Sequence, residues 1–405
     1  MARVLFLAHR VPFPPDKGDK IRAFNILRHL ARSHEVWLGA GADDLSDLQH
    51  VEEARRYCRD VHFAPLAPLR RAANMAAALA TGAPLSVARF RHPELEHWTR
   101  RVLAEVKPDI IYVYSSAMAQ YVLGRAPPTS RVVIDFVDCD AEKWRAYSEV
   151  ARWPLRAVYR REFDRLRAFE LDALADADLS LAISTTEQRL LTGFYPALAG
   201  KLHVVPNGVD LEYYAPCPLR VDSATIVMCG RMDYAPNAEG AEWFARQVFP
   251  QVQARNPEAV FQIVGAAPTA AVRALARHPG VNVTGAVPDV RPYLARAAVI
   301  VAPLRIARGI QNKVLEAMAV ARPLVATPQA LDGVAAMPGQ DVLVAEDPGD
   351  FAQACLEAMT PSTARTLSRN GRRFVVRHHE WAAQLAALDE LIGELLRAGS
   401  AEVAA

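Results

Sequence analysis

Short apolar runs recur along the chain, separated by longer stretches whose apolar positions follow a helical spacing. In the first half, residues 4–8, Glu35–Leu38, Ile110–Tyr114, Val132–Val137 and Leu179–Ile183 read as strands. In the second, the runs are Thr225–Cys229, Val260–Val264, Val281–Thr284, Val299–Ala302 and Leu324–Ala326. Continuous runs of this kind suit strands buried on both faces. Between them, Ile21, Phe24, Leu27 and Leu30 recur at helical intervals, as do patterns around 46–57, 69–80, 94–106, 237–254 and 381–396. Strand alternating with helix predicts an α/β fold with a doubly wound parallel sheet, and the alternation occurs twice. A chain of 405 residues is long enough for two domains. The Asn207-Gly208 turn signal, with Pro216 and Pro218 close behind, marks the boundary. We place a first domain at 1–205, a second at 206–380, and a last helix with a disordered small-residue tail at 381–405.

The stretch from Val299 to Thr327 concentrates the chemistry. An apolar run is followed by a loop ending at Gly309, then by Val314, Leu315, Met318 and Ala319 at helical spacing, and the next strand opens after Pro323. Strand, glycine loop and helix together aim backbone amides at the carboxyl edge of the sheet, a setting that suits a phosphate. Lys313 in the first helical turn is either a surface lysine or a cation reaching a bound diphosphate. Glu316 shares its helix face. It either pairs with Lys313 on a solvated face or accepts from two neighbouring hydroxyls, as a ribose presents.

The loop after the first strand, HRVPFPPDKGDK, ends near Gly18 and lacks the GxGxxG fingerprint, which argues against a nicotinamide-binding domain. Its charges Asp16, Lys17, Asp19 and Lys20 read chiefly as solvated. Asp135 and the run Asp138-Cys139-Asp140 fall at a strand end, where parallel-sheet sites gather. Asp-x-Asp can ligate a divalent metal, but the pattern is common by chance. A place in a substrate cleft, with Asp138 polarising a hydroxyl, is the reading we adopt. Ser184 to Glu187 forms a capping-box pattern.

Composition narrows the classes. Hydrophobic residues make up 51% and charged residues 23%, with a formal net charge of +2, which describes a globular protein without bulk nucleic-acid binding. Five scattered cysteines without a CxxC pair argue for a reducing compartment. No apolar run approaches the length of a membrane span, and the first apolar run is too short for a signal-peptide core. We therefore expect a cytoplasmic protein. Residues 143–170 stand apart: eight Lys or Arg against four Asp or Glu, with Trp144, Tyr147, Trp153, Tyr159, Phe163 and Phe169 interleaved. They form either a long helix covering the sheet or a contact with an anionic membrane surface.

Four stretches carry a family resemblance: PFPPDKGDKIRAFNIL, IDFVDCDAEKW, VPNGVD and VPDVRPYLARAAVIVAPLRIARGIQNKVLEAMA. They resemble retaining glycosyltransferases of family 4, and in particular the sugar transferases associated with exosortase and PEP-CTERM exopolysaccharide systems. The resemblance implies the GT-B fold, two Rossmann-like doubly wound domains facing a cleft, with the acceptor on the first and a nucleotide-diphosphate-sugar donor on the second. It makes Gly230-Arg231 the donor-phosphate pair and assigns donor contacts to Gly18, Gly309, Ile310, Gln311, Asn312, Lys313 and Glu316. No lysine lies between Met232 and Gly240, where the family often has one, and Lys313 takes that charge role. Arg231, Lys313 and Asp138 are the expected catalytic residues, with no metal and no cofactor. Arg308 stands where the family has a glutamate that contacts the donor sugar. The implied reaction is glycosyl transfer with retention to a glycan or lipid-linked acceptor at the inner face of the cytoplasmic membrane. The departure at Arg308 motivates one alternative, a non-catalytic nucleotide-sugar-binding partner protein.

Overall fold

The computed structural model describes the backbone of residues 1–404 apart from Asp44, Leu66 and Arg308, and side chains through residue 398. The chain forms two compact units. The first is Met1–Val205 together with the stretch from Leu385 onward, and the second is Pro206–Gln384.

The first unit holds a seven-stranded sheet, every neighbouring pair parallel. Its strands are β1 (Arg3–Ala8), β2 (Glu35–Ala42), β3 (Asp60–Pro65), β4 (Ile110–Tyr114), β5 (Arg131–Val137), β6 (Leu179–Ala182) and β7 (Leu202–Val204). Their order, β3-β2-β1-β4-β5-β6-β7, reverses direction between β1 and β4. β1 and β4 are buried almost throughout, as their unbroken apolar runs predict. β3 is one strand that the apolar pattern does not reveal, as are the short β7 here and a two-residue strand, Leu343–Val344, of the second unit. β3 lies at the sheet edge and is only half buried over its first three residues, so its sequence DVHFAP needs no continuous apolar run.

The second unit holds six parallel strands in the order β10-β9-β8-β11-β12-β13. These are β8 (Thr225–Cys229), β9 (Val260–Val264), β10 (Val281–Gly285), β11 (Val299–Ala302), β12 (Leu324–Ala326) and β13 (Leu343–Val344). Both sheets show the doubly wound α/β design of the GT-B fold.

Several helices differ from the sequence reading. The pattern at 237–254 resolves into Ala235–Trp243, a π-helical turn Phe244–Val248, and Phe249–Arg255. Pro250 has no N–H to give the regular ladder, and the wider turn absorbs the mismatch. The stretch 143–170 is two helices, Asp140–Val150 and Leu155–Asp176, parted around Pro154. Helices Pro348–Ala358 and Pro361–His378 join the second unit without having been predicted. The tail expected to be disordered continues the last helix, Trp381–Ala404. Apart from Gly399, its last residues are mostly good or neutral helix formers. His29 Nε2 and Asp389 Oδ2, 2.8 Å apart, fasten that helix within the first unit.

A buried ion pair stiffens the first unit. Arg22, from the helix Gly18–Leu30, places Nη2 2.9 Å from Asp135 Oδ2, and both side chains are fully buried. Arg22 Nη1 donates to the Val205 carbonyl at 2.7 Å, and the Tyr112 hydroxyl donates to Asp135 Oδ2 at 2.9 Å. Asp135 is thus a structural counter-ion inside the sheet and not part of an open strand-end site. Lys20 and Asp19 are likewise not solvated. Lys20 is buried against Asp47 at 3.0 Å, while Asp19 pairs with Arg10 and lies 3.3 Å from His9. Burial pushes the Asp19 carboxyl up, but His9 and Arg10 outweigh it and hold it well below the ordinary range.

Candidate functional site

In the second unit the chain leaves β8 through Gly230. A Cβ built there would lie 2.7 Å from Asn237 Nδ2 and 3.2 Å from Lys313 Nζ. Only glycine lets the backbone pass so close to both groups. Asn237 Nδ2 donates to the Arg231 carbonyl at 2.8 Å, and Asn237 Oδ1 accepts from Lys313 Nζ. One buried amide therefore ties the end of β8 to the helix Asn312–Ala319 that follows β11. Sequence reasoning missed Asn237, because its role comes from a contact across 76 positions.

Burial brings the Lys313 ammonium down to about 8, against the pull of Glu316. At neutral pH it still carries its charge, in a setting where an anion within reach is strongly favoured. Glu316 holds the Tyr214 hydroxyl rather than closing the surface ion pair considered from the sequence. Burial pushes its carboxyl up, while that hydrogen bond and Lys313 pull it down. Tyr214 is a second residue the sequence did not flag.

Gly309 adopts φ 63°, a left-handed turn that glycine enters without strain. Ile310 is buried behind it. The Gln311 side chain donates to the Gly309 carbonyl at 3.4 Å. Asn312 Oδ1 accepts from Asn207 Nδ2 at 3.0 Å, which brings the PNG turn to the helix start, and Asn312 Nδ2 has no protein partner. No side chain caps the helix Asn312–Ala319; the Val314 N–H bonds the Gln311 carbonyl at 2.9 Å, and the N–H groups ahead of it need an acceptor from outside the helix. Arg231 is half exposed and already forms a fork with Asp233, Nε–Oδ1 3.1 Å and Nη2–Oδ2 2.8 Å. A phosphate would share this guanidinium with Asp233. The reading of Arg308 at the usual glutamate position lies outside the described residues. Gly18 is exposed at the start of a first-unit helix, whereas the other donor residues all belong to the second unit.

In the first unit, the register aligns Ala8 with Tyr114 and Tyr114 with Asp135, so His9, Ser115 and Asp138 leave the sheet at one edge. Two non-glycine residues there have positive φ, Ser115 at 76° and Val137 at 64°. His9 stacks on Tyr114 with centroids 5.7 Å apart. Asp138 is half buried and its Oδ1 has no protein partner. Burial, then Glu187 and Asp140, push its carboxyl up to about 7. Asp140 is raised as well, by burial first. Glu187 Oε2 accepts from the Cys139 N–H at 2.7 Å while its own N–H bonds Ser184 Oγ at 3.2 Å, so the capping pattern also anchors the loop after β5. Among the described residues no three His, Cys, Asp or Glu converge on a point that could hold a metal ion.

A parallel sheet in each unit and an uncapped helix behind a glycine loop agree with the design of a GT-B glycosyltransferase, and the matching family models assign that class. The model for Glycosyltransferase Family 4 matches residues 18–213, and that for Glycosyl transferases group 1 matches residues 223–360. The chain belongs to the glycosyltransferases. Among solved structures it is similar to sucrose-phosphate synthase from Thermosynechococcus elongatus at 18% identity and TM-score 0.74, covering 98% of this chain and 100% of that one. It is also similar to Anabaena HepE in complex with UDP-glucose, at 13% identity and TM-score 0.70 over 97% of this chain and 100% of the other. A glycosyltransferase from Rickettsia africae matches at 12% identity and TM-score 0.65, covering 98% of each chain. No curated protein sequence matches the chain.

Proposed function

We propose that the protein transfers a sugar from a nucleotide-diphosphate-sugar donor to a glycan or lipid-linked acceptor in exopolysaccharide biosynthesis. The observation that carries this is the junction of Gly230, Asn237 and Lys313 beside the uncapped helix start at Asn312. The UDP-glucose bound to HepE supports a nucleotide-sugar donor. Negative charge grows on the leaving diphosphate as the glycosidic bond breaks, and fixed cations and amides there lower the barrier. Lys313, Arg231 and the amides following Gly309 supply them without a metal. Glu316, steadied by Tyr214, accepts from the ribose hydroxyls. Asp138 polarises the accepting hydroxyl. The four sequence stretches support retention of configuration and a place at the inner face of the cytoplasmic membrane.

The test is nucleoside-diphosphate release from a panel of UDP-, GDP-, ADP- and dTDP-sugars. Slow hydrolysis of one donor, accelerated by glycan or lipid-linked acceptors, is the expected result. Tight donor binding with no turnover under any acceptor condition would overturn it.

A further inference from the structure

The helix Pro68–Thr81 of the first unit carries its amphipathicity inside out. Ala78 is its one residue counted as buried. At about 100° per residue, Leu69, Ala72, Ala73, Ala76 and Ala80 fall on the side opposite Ala78 with Leu79 at its flank, and all six are exposed. Leu69 is 87% exposed and Leu79 55%. Half-buried beside Ala78 lie Arg71, Asn74 and Met75, with Asn74 Nδ2 donating to the Arg91 carbonyl at 2.8 Å. A surface helix of a globular protein normally turns its apolar stripe inward. This one turns it to the outside.

A second apolar surface adjoins it. Arg161, early in the helix Leu155–Asp176, donates Nη2 to the carbonyls of Ala78 and Ala83 at 2.9 and 3.1 Å. The turn leading into that helix exposes Val150 and Trp153, each by 84%, and Leu155 by 54%. Singly exposed apolar residues need no explanation, but a cluster drawn from two helices does. The exposed charge of residues 68–82 and 150–161 has a single sign: Arg70, Arg152, Arg156 and Arg160 are exposed, and neither stretch contains Asp or Glu. Exposed Glu149, just before the turn, is paired with Arg145.

We infer that the helix Pro68–Thr81 and the turn before Leu155 form one docking face for an anionic lipid bilayer. The face rests on the proposed use of a membrane-borne acceptor and extends it by naming the surface that meets the membrane. Leu69, Leu79 and Trp153 enter the headgroup boundary, where indole rings are favoured. Arg70, Arg152, Arg156 and Arg160 meet lipid phosphates. Charge selects this occupant over a second copy of the chain, because two such faces would set arginines against arginines.

The experiment is flotation of the full chain with vesicles of phosphatidylcholine alone or with three-tenths phosphatidylglycerol. Binding is expected to require the anionic lipid and to weaken as salt rises. Replacing both Arg152 and Arg156 by Gln should lower partitioning roughly 30-fold, about fivefold for each charge. Leu69→Ser with Leu79→Ser should also weaken it. Both residues are exposed, so thermal unfolding should be unchanged, and that measurement guards against misfolding. No flotation at low salt, or full binding by the double-leucine variant, overturns the inference. So does a concentration-dependent dimer that those serines abolish. Lipid-free donor hydrolysis, run in parallel, separates the two readings. Turnover without vesicle binding removes only the docking face, and vesicle binding without turnover removes only the proposed transfer reaction.

Discussion

Lys313 offers the sharpest test of the donor site. Its ammonium is brought down to about 8 by burial, and its Nζ is aimed by Asn237 toward the end of β8. Replacing it with Met keeps most of the packing and removes the charge. A charge-assisted hydrogen bond to a phosphate contributes about 1.5–3 kcal/mol, so K313M should bind a nucleoside diphosphate about 10- to 150-fold more weakly. The pH dependence adds a second signature. Below 8 the wild-type ammonium is mostly charged, and above it the charge must be restored when the anion binds. Wild-type affinity should therefore hold between pH 7 and 8, then fall by up to about tenfold per pH unit. K313M should stay flat over that range. Isothermal calorimetry at pH 7, 8 and 9 reads both effects. Equal affinity of the two proteins at pH 7, or a wild-type affinity unchanged up to pH 9, would refute the placement of Lys313 against the diphosphate.

Other perturbations probe the remaining parts. Arg231→Ala should weaken nucleoside-diphosphate binding by about 1.5–3 kcal/mol, and toward the lower end because Asp233 already shares the guanidinium. Burial pushes the Asp138 carboxyl up to about 7 in the fold, above the ordinary aspartate value, so the stability from its protonated form is fully present below about pH 4 and lost as pH rises from there through 7. Asp138→Asn should therefore be more stable than wild type at pH 8, by on the order of 1–3 kcal/mol in urea unfolding after allowance for partial exposure, with the difference shrinking as pH falls and nearly gone below about pH 4. The same variant should slow transfer while leaving nucleoside-diphosphate binding intact. Arg22→Met strands the buried Asp135 carboxylate and should cost about 3–5 kcal/mol in urea unfolding. Transfer activity should survive excess EDTA; loss in EDTA with recovery in manganese would make Asp138 and Asp140 metal ligands.

What the sequence reveals and what it hides follow from how far each signal reaches along the chain. Runs such as VLFLA and IIYVY are buried strands on local grounds, because only a sheet covered on both faces accommodates them. β3 escapes because an edge strand needs less apolar surface. Gly309 and the helix after it are legible as a phosphate-suited loop, since a left-handed turn and an uncapped helix leave marks within a dozen residues. Asn237 and Tyr214 leave none. An asparagine bridging two chain segments looks in sequence like any other polar residue near a helix start. Asp135 misleads in the opposite direction, because only the tertiary structure shows that Arg22 neutralises it inside the sheet.

The first unit is not closed by its own consecutive residues. Its last helical stretch, from Leu385, is made only after the whole of Pro206–Gln384. At typical synthesis rates that interval lasts about 10–40 s. During it the nascent first unit has its seven strands but lacks the helix that His29 later fastens through Asp389. The apolar surface destined for that helix is meanwhile open to chaperones or to neighbouring nascent chains. Completion of the first unit thus waits on residues made after the whole second unit, and a chain truncated near residue 384 should be aggregation-prone even though all thirteen strands of the described residues are present.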